Sequence, residues 1–234
     1  MGSHHDINDL DASLLGVGLY TPAEAAAYTG IPTTQIRRWL FGYSSGGKHY
    51  SGLWHPQLQG KAEQALGFHD LLEIRFVHAF RHHGVSLQAI RLASMHAREM
   101  FNQAYPFTCK RFQTDGKAIF AIVLEETGDE SLLDLAKKQY AFKQVISSSL
   151  YRGIEYATNN EAQRWFPLSR SRRVVLDPAR NFGKPVLTET GMTVEAIVSA
   201  WHAEEKNTKR VASLYEVSVA DVEAAIQFEQ RTAI

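Results

Sequence analysis

The sequence predicts a mainly α-helical fold with a small β component. Two pairs of helices with recognisable caps are encoded in the first hundred residues, and a stretch rich in glycine and serine between them predicts a small hairpin. Three more capped helices are encoded after residue 190. With 234 residues, 44% of them hydrophobic, the chain can bury a core and is expected to hold two or three small domains.

The first helix pair lies between residues 20 and 40. Thr21 is placed to cap the first helix, Pro22 suits its first position, and Glu24 completes a capping box. Gly30 supplies the flexible backbone at which the chain reverses. A second helix then starts at Pro32 or Thr33. Its polar residues near the N-terminus are the candidates for reading DNA bases: Thr34, Gln35, Arg37 and Arg38.

The stretch from 41 to 61 is rich in glycine, serine and aromatic residues, and its segment from 44 to 47 predicts the tip of a hairpin wing. Lys48, His49 and Tyr50 follow the tip and are candidates for contacts with the DNA backbone. A second helical pair follows at 69–83 and from 86 to about 104, with Ser86 as its internal cap. Trp39, at helical spacing from Ile36, is expected in the core.

Helix, turn, basic helix, wing and the segment FHDLLEIRFVHAFRHHGVSLQAIR together resemble the winged-helix DNA-binding domain of the MerR family, over about residues 18–104. The resemblance implies that the second helix enters the major groove and that the wing contacts phosphate. By position, Thr34, Gln35, Arg37 and Arg38 would face bases or nearby phosphates. Lys48, His49 and Tyr50 would contact the backbone.

The middle region, residues 105–150, predicts a β-hairpin followed by a helix. Two β-rich runs flank Asp115-Gly116, a strong hairpin signal, and helix-like spacing returns from Leu132 to about Ile146. A structural hairpin is favoured over a ligand pocket or a docking edge. Cys109 falls in the first run and is expected to be a semi-buried, unreactive thiol.

The C-terminal region, residues 174–234, predicts two short strands and three helices. Asp177-Pro178 and Gly183 mark the turn between the strands. Thr193 caps the first helix, Thr208 starts the second, and Ser218 with Asp221 caps the third.

A second resemblance rests on Asp177-Pro178, Gly183-Lys184-Pro185-Val186, Gly191, Ala225-Ile226 and Phe228-Glu229. This pattern is similar to a small domain of VapB-like antitoxins, although Phe182 stands where that family has a glycine. The resemblance implies a DNA-binding protein that neutralises a cognate toxin, commonly a PIN-type ribonuclease, and represses its own operon, usually as a homodimer. The alternative is a stand-alone MerR-like transcriptional regulator without a toxin.

Charge is distributed unevenly although the chain is formally neutral. Residues 19–100 carry eight Lys or Arg against five Asp or Glu, whereas residues 175–234 carry six against nine, so the front of the chain can favour phosphate. Residues 151–173 predict a basic linker that orders on a partner, with these contact candidates: Arg164, Trp165, Phe166, Arg170, Arg172 and Arg173. The C-terminal helices favour dimerisation or toxin docking over a second DNA contact through Lys206, Lys209 and Arg210.

The sequence contains no interpretable catalytic motif, phosphate-binding loop or cofactor motif, so we expect neither an enzyme nor a cofactor. His78 and His82 are four residues apart, but Arg81 lies between them and no glutamate accompanies them, so phosphate contact is favoured over a metal site.

No segment predicts a membrane span or a secretion signal, and Cys109 is the single cysteine, which together favour a cytoplasmic protein. Residues 1–17 are expected to be disordered.

Overall fold

The computed structural model describes residues 15–60, 64–132, 136, 148–168 and 170–232. Over these residues the protein is mainly α-helical with small two-stranded sheets, which confirms the predicted fold class. Most of the predicted disordered N-terminus, and nearly all of the helix predicted from Leu132 to Ile146, lie outside the described residues. None of the described helices is long and apolar enough to cross a membrane.

The elements follow one another along the chain as short helices interrupted by hairpins. The helices are α1 Pro22–Thr29, α2 Thr33–Phe41, α3 Phe68–His82, α4 Leu87–Phe101, α5 Phe112–Thr127, α6 Ser148–Tyr151, α7 Val194–Ala203, α8 Thr208–Leu214 and α9 Val219–Thr232. The strands are β1 Tyr43–Ser45, β2 Lys48–Tyr50, β3 Ile154–Tyr156, β4 Ala162–Trp165, β5 Val174–Val175 and β6 Val186–Leu187. They form three two-stranded sheets in the order β1-β2, β3-β4 and β5-β6 within the described ranges.

The chain divides into two compact units, each assembled from separate segments. Unit 1 comprises the described residues of Met1–Gly30, Gln57–Phe68 and Arg164–Ile234, and unit 2 those of Ile31–Pro56 and His69–Gln163. In this division α1 belongs to unit 1 and α2 to unit 2. The domain boundaries expected from the sequence, including the winged-helix domain over residues 18–104, stay predictions.

An aromatic cluster forms the core of unit 2. The ring of Phe80 packs edge to face on Phe107 and Phe120, with ring centroids 5.1 and 5.2 Å apart, and Phe107 packs in the same way on Phe112 at 5.0 Å. All four side chains are fully buried. Tyr151 donates a hydrogen bond of 2.7 Å to the Phe107 carbonyl, so its buried hydroxyl is satisfied.

The hairpin predicted around Asp115-Gly116 is wrong, because α5 runs through both residues. The buried positions of α5 recur every three or four residues, which is the period of a helix: Phe112, Gly116, Ile119, Phe120 and Val123. Asp115 lies in the first turn, where the helix dipole favours a carboxylate. A short apolar run is compatible with a buried strand or a buried helix, and here packing against the aromatic cluster decides for the helix. Cys109, expected in a strand, lies buried in the turn before α5.

The basic linker predicted over residues 151–173 is also wrong for the described residues, which are already folded. This segment contains the end of α6, strand β3 and strand β4. Trp165 exchanges two backbone hydrogen bonds with Leu176, at 3.0 and 2.9 Å, and its side chain is buried. The physical reason is that Ala162 and Trp165 at the two ends of β4 are buried within the chain, so this strand needs no partner protein to become ordered.

The C-terminal helices of unit 1 have the caps that the sequence predicts. Thr193 accepts a hydrogen bond from the Ala196 amide, and Ser218 and Asp221 cap α9 reciprocally. The second helix begins at Thr208 as expected, although the capping side chain is that of Asn207. The strand pair β5-β6 precedes these helices, as the sequence predicts.

The N-terminal segment contributes α1 to unit 1. The capping box predicted for Thr21 and Glu24 is present, and Gly30 ends α1 with a left-handed backbone. Buried Tyr20 donates a hydrogen bond of 2.8 Å to the Gly183 carbonyl. The ring of Tyr28 packs on Phe228 of α9 at a centroid distance of 5.7 Å. These contacts join residues that are more than 150 positions apart, and α1 is thereby part of the C-terminal core.

The helical assignment of α5 can be tested with two substitutions two positions apart. We expect Phe120→Ala to lower the free energy of unfolding by about 3–5 kcal/mol, because it removes a fully buried ring. Ala118→Gln should change it by less than about 0.5 kcal/mol, because Ala118 is exposed on the opposite face. Residues i and i+2 of a strand share one face, so a comparable loss from both substitutions in urea denaturation would contradict the helix.

Buried Glu73 makes stability depend on pH. Burial raises the pKa of its carboxyl to about 8, partly offset by hydrogen bonds from Thr108, whose amide lies 3.2 Å from Oε1. The folded state therefore holds a proton that the unfolded state releases above pH 4.5. We expect the unfolding free energy to fall between pH 5 and 8, by up to about 1.4 kcal/mol per pH unit. Glu73→Gln, a neutral isostere, should abolish this slope in denaturation series at each pH; an unchanged slope would refute the assignment.

Candidate nucleic-acid interface

Helix α2 carries the polar residues that the sequence predicts for DNA contact. Its buried side chains are Ile36, Trp39 and Leu40, which fix one face of the helix in unit 2 and confirm Trp39 as a core residue. The opposite face presents Thr34, Gln35, Arg37 and Arg38, all exposed. The helix therefore displays two guanidinium groups and an amide, groups that donate hydrogen bonds to phosphate and to base edges.

The predicted wing is an antiparallel hairpin of β1 and β2. Ser45 pairs with Lys48, which leaves Gly46 and Gly47 as a two-residue loop. Both glycines have positive φ, 56° and 74°, the combination that a type I′ hairpin turn requires. The pairing confirms the hairpin tip, and it exposes Lys48, His49 and Tyr50 on β2.

The chain returns from the wing to α2 through a tight contact. The Leu53 amide donates a hydrogen bond of 2.7 Å to the Trp39 carbonyl, one of the free carbonyls at the end of α2. Gly52 lies so close that a Cβ there would stand 2.1 Å from the Leu40 carbonyl oxygen. Arg91 of α4 donates hydrogen bonds to the carbonyls of Ser51 and Gly52 at 2.8 and 3.3 Å. The wing base and the end of α2 are thereby held together.

An aromatic stack joins the wing to the exposed face of α2. The Arg38 guanidinium lies 3.7 Å above the ring of Tyr43 on β1, within the range of a cation–π contact. Tyr43 in turn stacks on Tyr50 of β2, with ring centroids 4.8 Å apart and planes 11° from parallel. The stack orients the Arg38 side chain before any ligand arrives, which lowers the entropy cost of using it in binding.

Beside Arg38 is a basic concavity of about 400 Å³ in unit 2. Its lining is mostly cationic or able to become so: Gln35, Arg38, Trp39, His78, Arg81, His82 and Leu87. Arg81 donates a hydrogen bond of 2.6 Å to the Val85 carbonyl, which fixes the direction of its guanidinium. The concavity adds positive charge to the wing and α2, and this combined surface is here termed the basic face.

Histidine makes the charge of the basic face depend on pH. Burial lowers the pKa of His78 below its ordinary value of 6.5, and nearby His82 lowers it further. His78 is consequently neutral at pH 7 and gains charge only in more acidic solution. The ring of His78 lies 6.3 Å from that of Trp39, which accounts for part of its burial.

The candidates for partner contact in residues 164–173 lie in unit 1, and much of this set is engaged within the chain. Trp165 and Phe166 are 2% and 4% exposed, so both side chains lie in the core, and the predicted contact with a partner stays a prediction. Arg164 pairs with Asp177 at 3.3 Å, Arg173 with Asp221 at 2.7 Å, and the Arg172 guanidinium stacks on Phe166 at 4.0 Å. Arg170 is exposed.

Two residues of the basic face were not predicted from the sequence. Tyr43 orients Arg38, and Arg91 holds the base of the wing. Tyr43 and Tyr50 flank the glycine turn at equal distance, and this symmetry was the available signal that they form a cross-strand pair. The role of Arg91 depends on a contact with residues 39 and 40 positions earlier, for which the sequence holds no local signal.

Among the described residues, no group of three or more His, Cys, Asp or Glu side chains is arranged to hold a metal ion. The arrangement on the basic face is suited to binding an anion, since it consists of guanidinium groups, imidazoles and an amide around an open concavity.

Comparison with known proteins gives three similarities. A family model described as "Protein of unknown function (DUF433)" matches residues 174–228. A protein of Mycobacterium tuberculosis named "Putative antitoxin VapB45" is 28% identical over 205 residues, which are 80% of this chain and 84% of that protein. The X-ray crystal structure of Rv2018 from Mycobacterium tuberculosis superimposes with a TM-score of 0.68 at 26% identity, covering 91% of this chain and 99% of that one.

The similarity to the protein named "Putative antitoxin VapB45" covers most of the chain. The similarity extends through both units, whereas the DUF433 match lies within the C-terminal part of unit 1. The structural likeness to Rv2018 extends over most of the chain.

Proposed function

We propose that this protein is a DNA-binding antitoxin that neutralises a cognate toxin and represses its own operon. The observation that carries the DNA-binding half is the basic face, where Gln35, Arg37 and Arg38 are exposed on α2 beside the wing. The similarity to the VapB45 antitoxin supports the other half. The same similarity favours an antitoxin over a stand-alone MerR-like regulator, because the similar protein is named as an antitoxin.

The basic face meets the main requirements of duplex recognition. An α-helix fits the major groove of B-DNA, and arginine can donate two hydrogen bonds to guanine. The exposed Lys48 and His49 on the wing offer contacts to phosphate, which supply affinity without sequence preference. Operator symmetry usually mirrors protein symmetry, so we expect the chain to bind a palindromic promoter site as a homodimer.

The toxin we expect is a PIN-type ribonuclease, the class that the resemblance to VapB-like antitoxins implies. Silencing such an enzyme requires protein contact, and no catalytic chemistry is needed from the antitoxin itself. We therefore propose a regulatory protein without enzymatic activity. The C-terminal helices in unit 1 are the proposed contact region, because their surface carries more acidic than basic residues and is poorly suited to phosphate.

The DNA-binding half can be tested by substitution on the basic face. Arg38→Ala should weaken binding to the chain's own promoter by about 1–3 kcal/mol if Arg38 contacts guanine, and should reduce the preference over unrelated DNA. Lys48→Ala should weaken binding to every sequence alike and lower the salt dependence by about one unit of slope. Fluorescence anisotropy over a salt series measures both quantities.

Lys110→Ala provides the matched control, because Lys110 is an exposed cation of unit 2 that lies outside the basic face. It should leave promoter affinity unchanged within experimental error. Equal losses from Arg38→Ala, Lys48→Ala and Lys110→Ala would indicate a nonspecific charge effect, and failure of the wild-type protein to bind duplex DNA at low salt would refute this half of the proposal.

The antitoxin half can be tested by co-expression with each gene that adjoins this one in its genome. We expect a complex that survives size-exclusion chromatography and relief of the growth arrest that the neighbouring product causes alone. The double variant Arg37→Ala/Arg38→Ala should retain this relief while losing promoter repression, because the two activities use different units. Persistent growth arrest together with no detectable complex would refute the antitoxin role, and the stand-alone MerR-like regulator would remain as the alternative.

A further inference from the structure

Unit 1 contains a groove of about 320 Å³ that shares no residue with the basic face. It lies where α1, the segment before β6, α7 and α9 meet. Its lining combines aromatic rings with charged side chains: Glu24, Tyr28, Asn181, Lys184, Pro185, Thr193, Val194, Glu195, Phe228 and Glu229. The groove is thus built from both ends of the chain.

The groove has an aromatic floor. The rings of Tyr28 and Phe228 lie 5.7 Å apart and tilted by 44°, and Phe228 is 2% exposed, so its position is fixed by the core. Tyr28 is half-buried and packs edge to face on buried Tyr20 at 6.2 Å. The face of an aromatic ring carries partial negative charge and attracts cations.

The charged groups of the groove leave an excess of negative charge. Lys184 forms an ion pair with Glu24, so those two charges compensate each other. Glu195 and Glu229 are exposed, and neither forms an ion pair with another described residue. Burial raises the pKa of the Tyr28 phenol well above its usual range, and the carboxylates of Glu24, Glu229 and Glu195 raise it further. The negative charges therefore act together at the aromatic floor.

We propose that this groove receives an arginine side chain of a partner protein, stacked on Tyr28 and paired with Glu195 and Glu229. A guanidinium fits this environment better than an ammonium because it is planar, stacks on aromatic rings and pairs with carboxylates through two parallel hydrogen bonds. An anionic ligand would meet two uncompensated carboxylates. The identity of the partner as the toxin rests on the proposed function, but the chemistry of the groove does not.

The groove can be tested without any knowledge of the partner. N-acetyl-arginine-N-methylamide is titrated into the isotopically labelled full chain and followed by NMR, with the citrulline analogue as a neutral probe of the same shape. The arginine probe should shift signals of Tyr28, Thr193 and Phe228, and the citrulline probe should bind at least about fivefold more weakly, because its side chain carries no charge.

Substitutions then assign the effect to the two carboxylates. The double variant Glu195→Gln/Glu229→Gln should reduce affinity for the arginine probe at least about fivefold. Glu223→Gln is the matched control, because Glu223 is exposed on α9 but does not line the groove. Equal binding of the two probes, no shifts at millimolar probe, or the same loss in the Glu223→Gln variant would each overturn the proposal. The circular dichroism spectrum of every variant verifies folding.

The experiments distinguish between failure of the proposal that the groove binds arginine and failure of the proposal that the protein is an antitoxin. If the arginine probe binds but no toxin complex forms, the groove stands and the antitoxin role falls. If a toxin complex forms and its affinity is unchanged in both Glu195→Lys/Glu229→Lys and Glu223→Lys, the toxin docks elsewhere and is not the partner whose arginine enters the groove. Loss of the complex only in the groove variant, together with binding of the arginine probe, supports both.

Discussion

The basic face depends on the close contact between the end of α2 and the base of the wing. A helix leaves its last four carbonyls without partners inside the helix, and the Leu53 amide satisfies that of Trp39. This hydrogen bond is possible because Gly52 has no side chain to meet the Leu40 carbonyl. Two arginines complete the arrangement, since Arg91 holds the wing base from α4 and Arg38 stacks on Tyr43. Helix and wing are therefore presented to a ligand as one preorganised surface, which reduces the ordering cost of binding.

Local signals in the sequence predicted a large part of this architecture. Caps such as Thr21 with Glu24 and Ser218 with Asp221 involve residues three apart, so the sequence alone identifies them. The glycine pair of the wing is equally local. Helix α5 was missed because Asp115-Gly116 has a strong local preference for a turn, while the competing signal is its packing on the aromatic cluster. That packing involves Phe80, far away in the sequence, and no local pattern reports it.

The candidate site was predictable to a similar degree. Arg37 and Arg38 could be assigned to the exposed face of α2 because Ile36, Trp39 and Leu40 mark the buried face by their spacing. The concavity beside them also uses Arg81 and two histidines of α3, and its existence depends on how two helices pack. The burial of Trp165 and Phe166 was not predicted, for the same reason. Their composition suggested an exposed recognition segment, whereas the strand pairing of Trp165 with Leu176 buries them in unit 1.

The uneven distribution of charge along the sequence corresponds to differently charged surfaces on the two units. Cations collect on the basic face of unit 2, and uncompensated carboxylates remain at the groove of unit 1, so a formally neutral chain presents two surfaces of opposite character. Glu24 shows how closely the second surface is tied to folding. Its carboxylate completes the cap of α1, and it also neutralises Lys184, which would otherwise repel a cationic ligand from the groove. A single carboxylate near the N-terminus thus sets both the start of a helix and the charge of a site built largely from the C-terminal region. For this reason a substitution at Glu24 cannot separate binding from stability, whereas Glu195 and Glu229, which form no ion pair with another described residue, can.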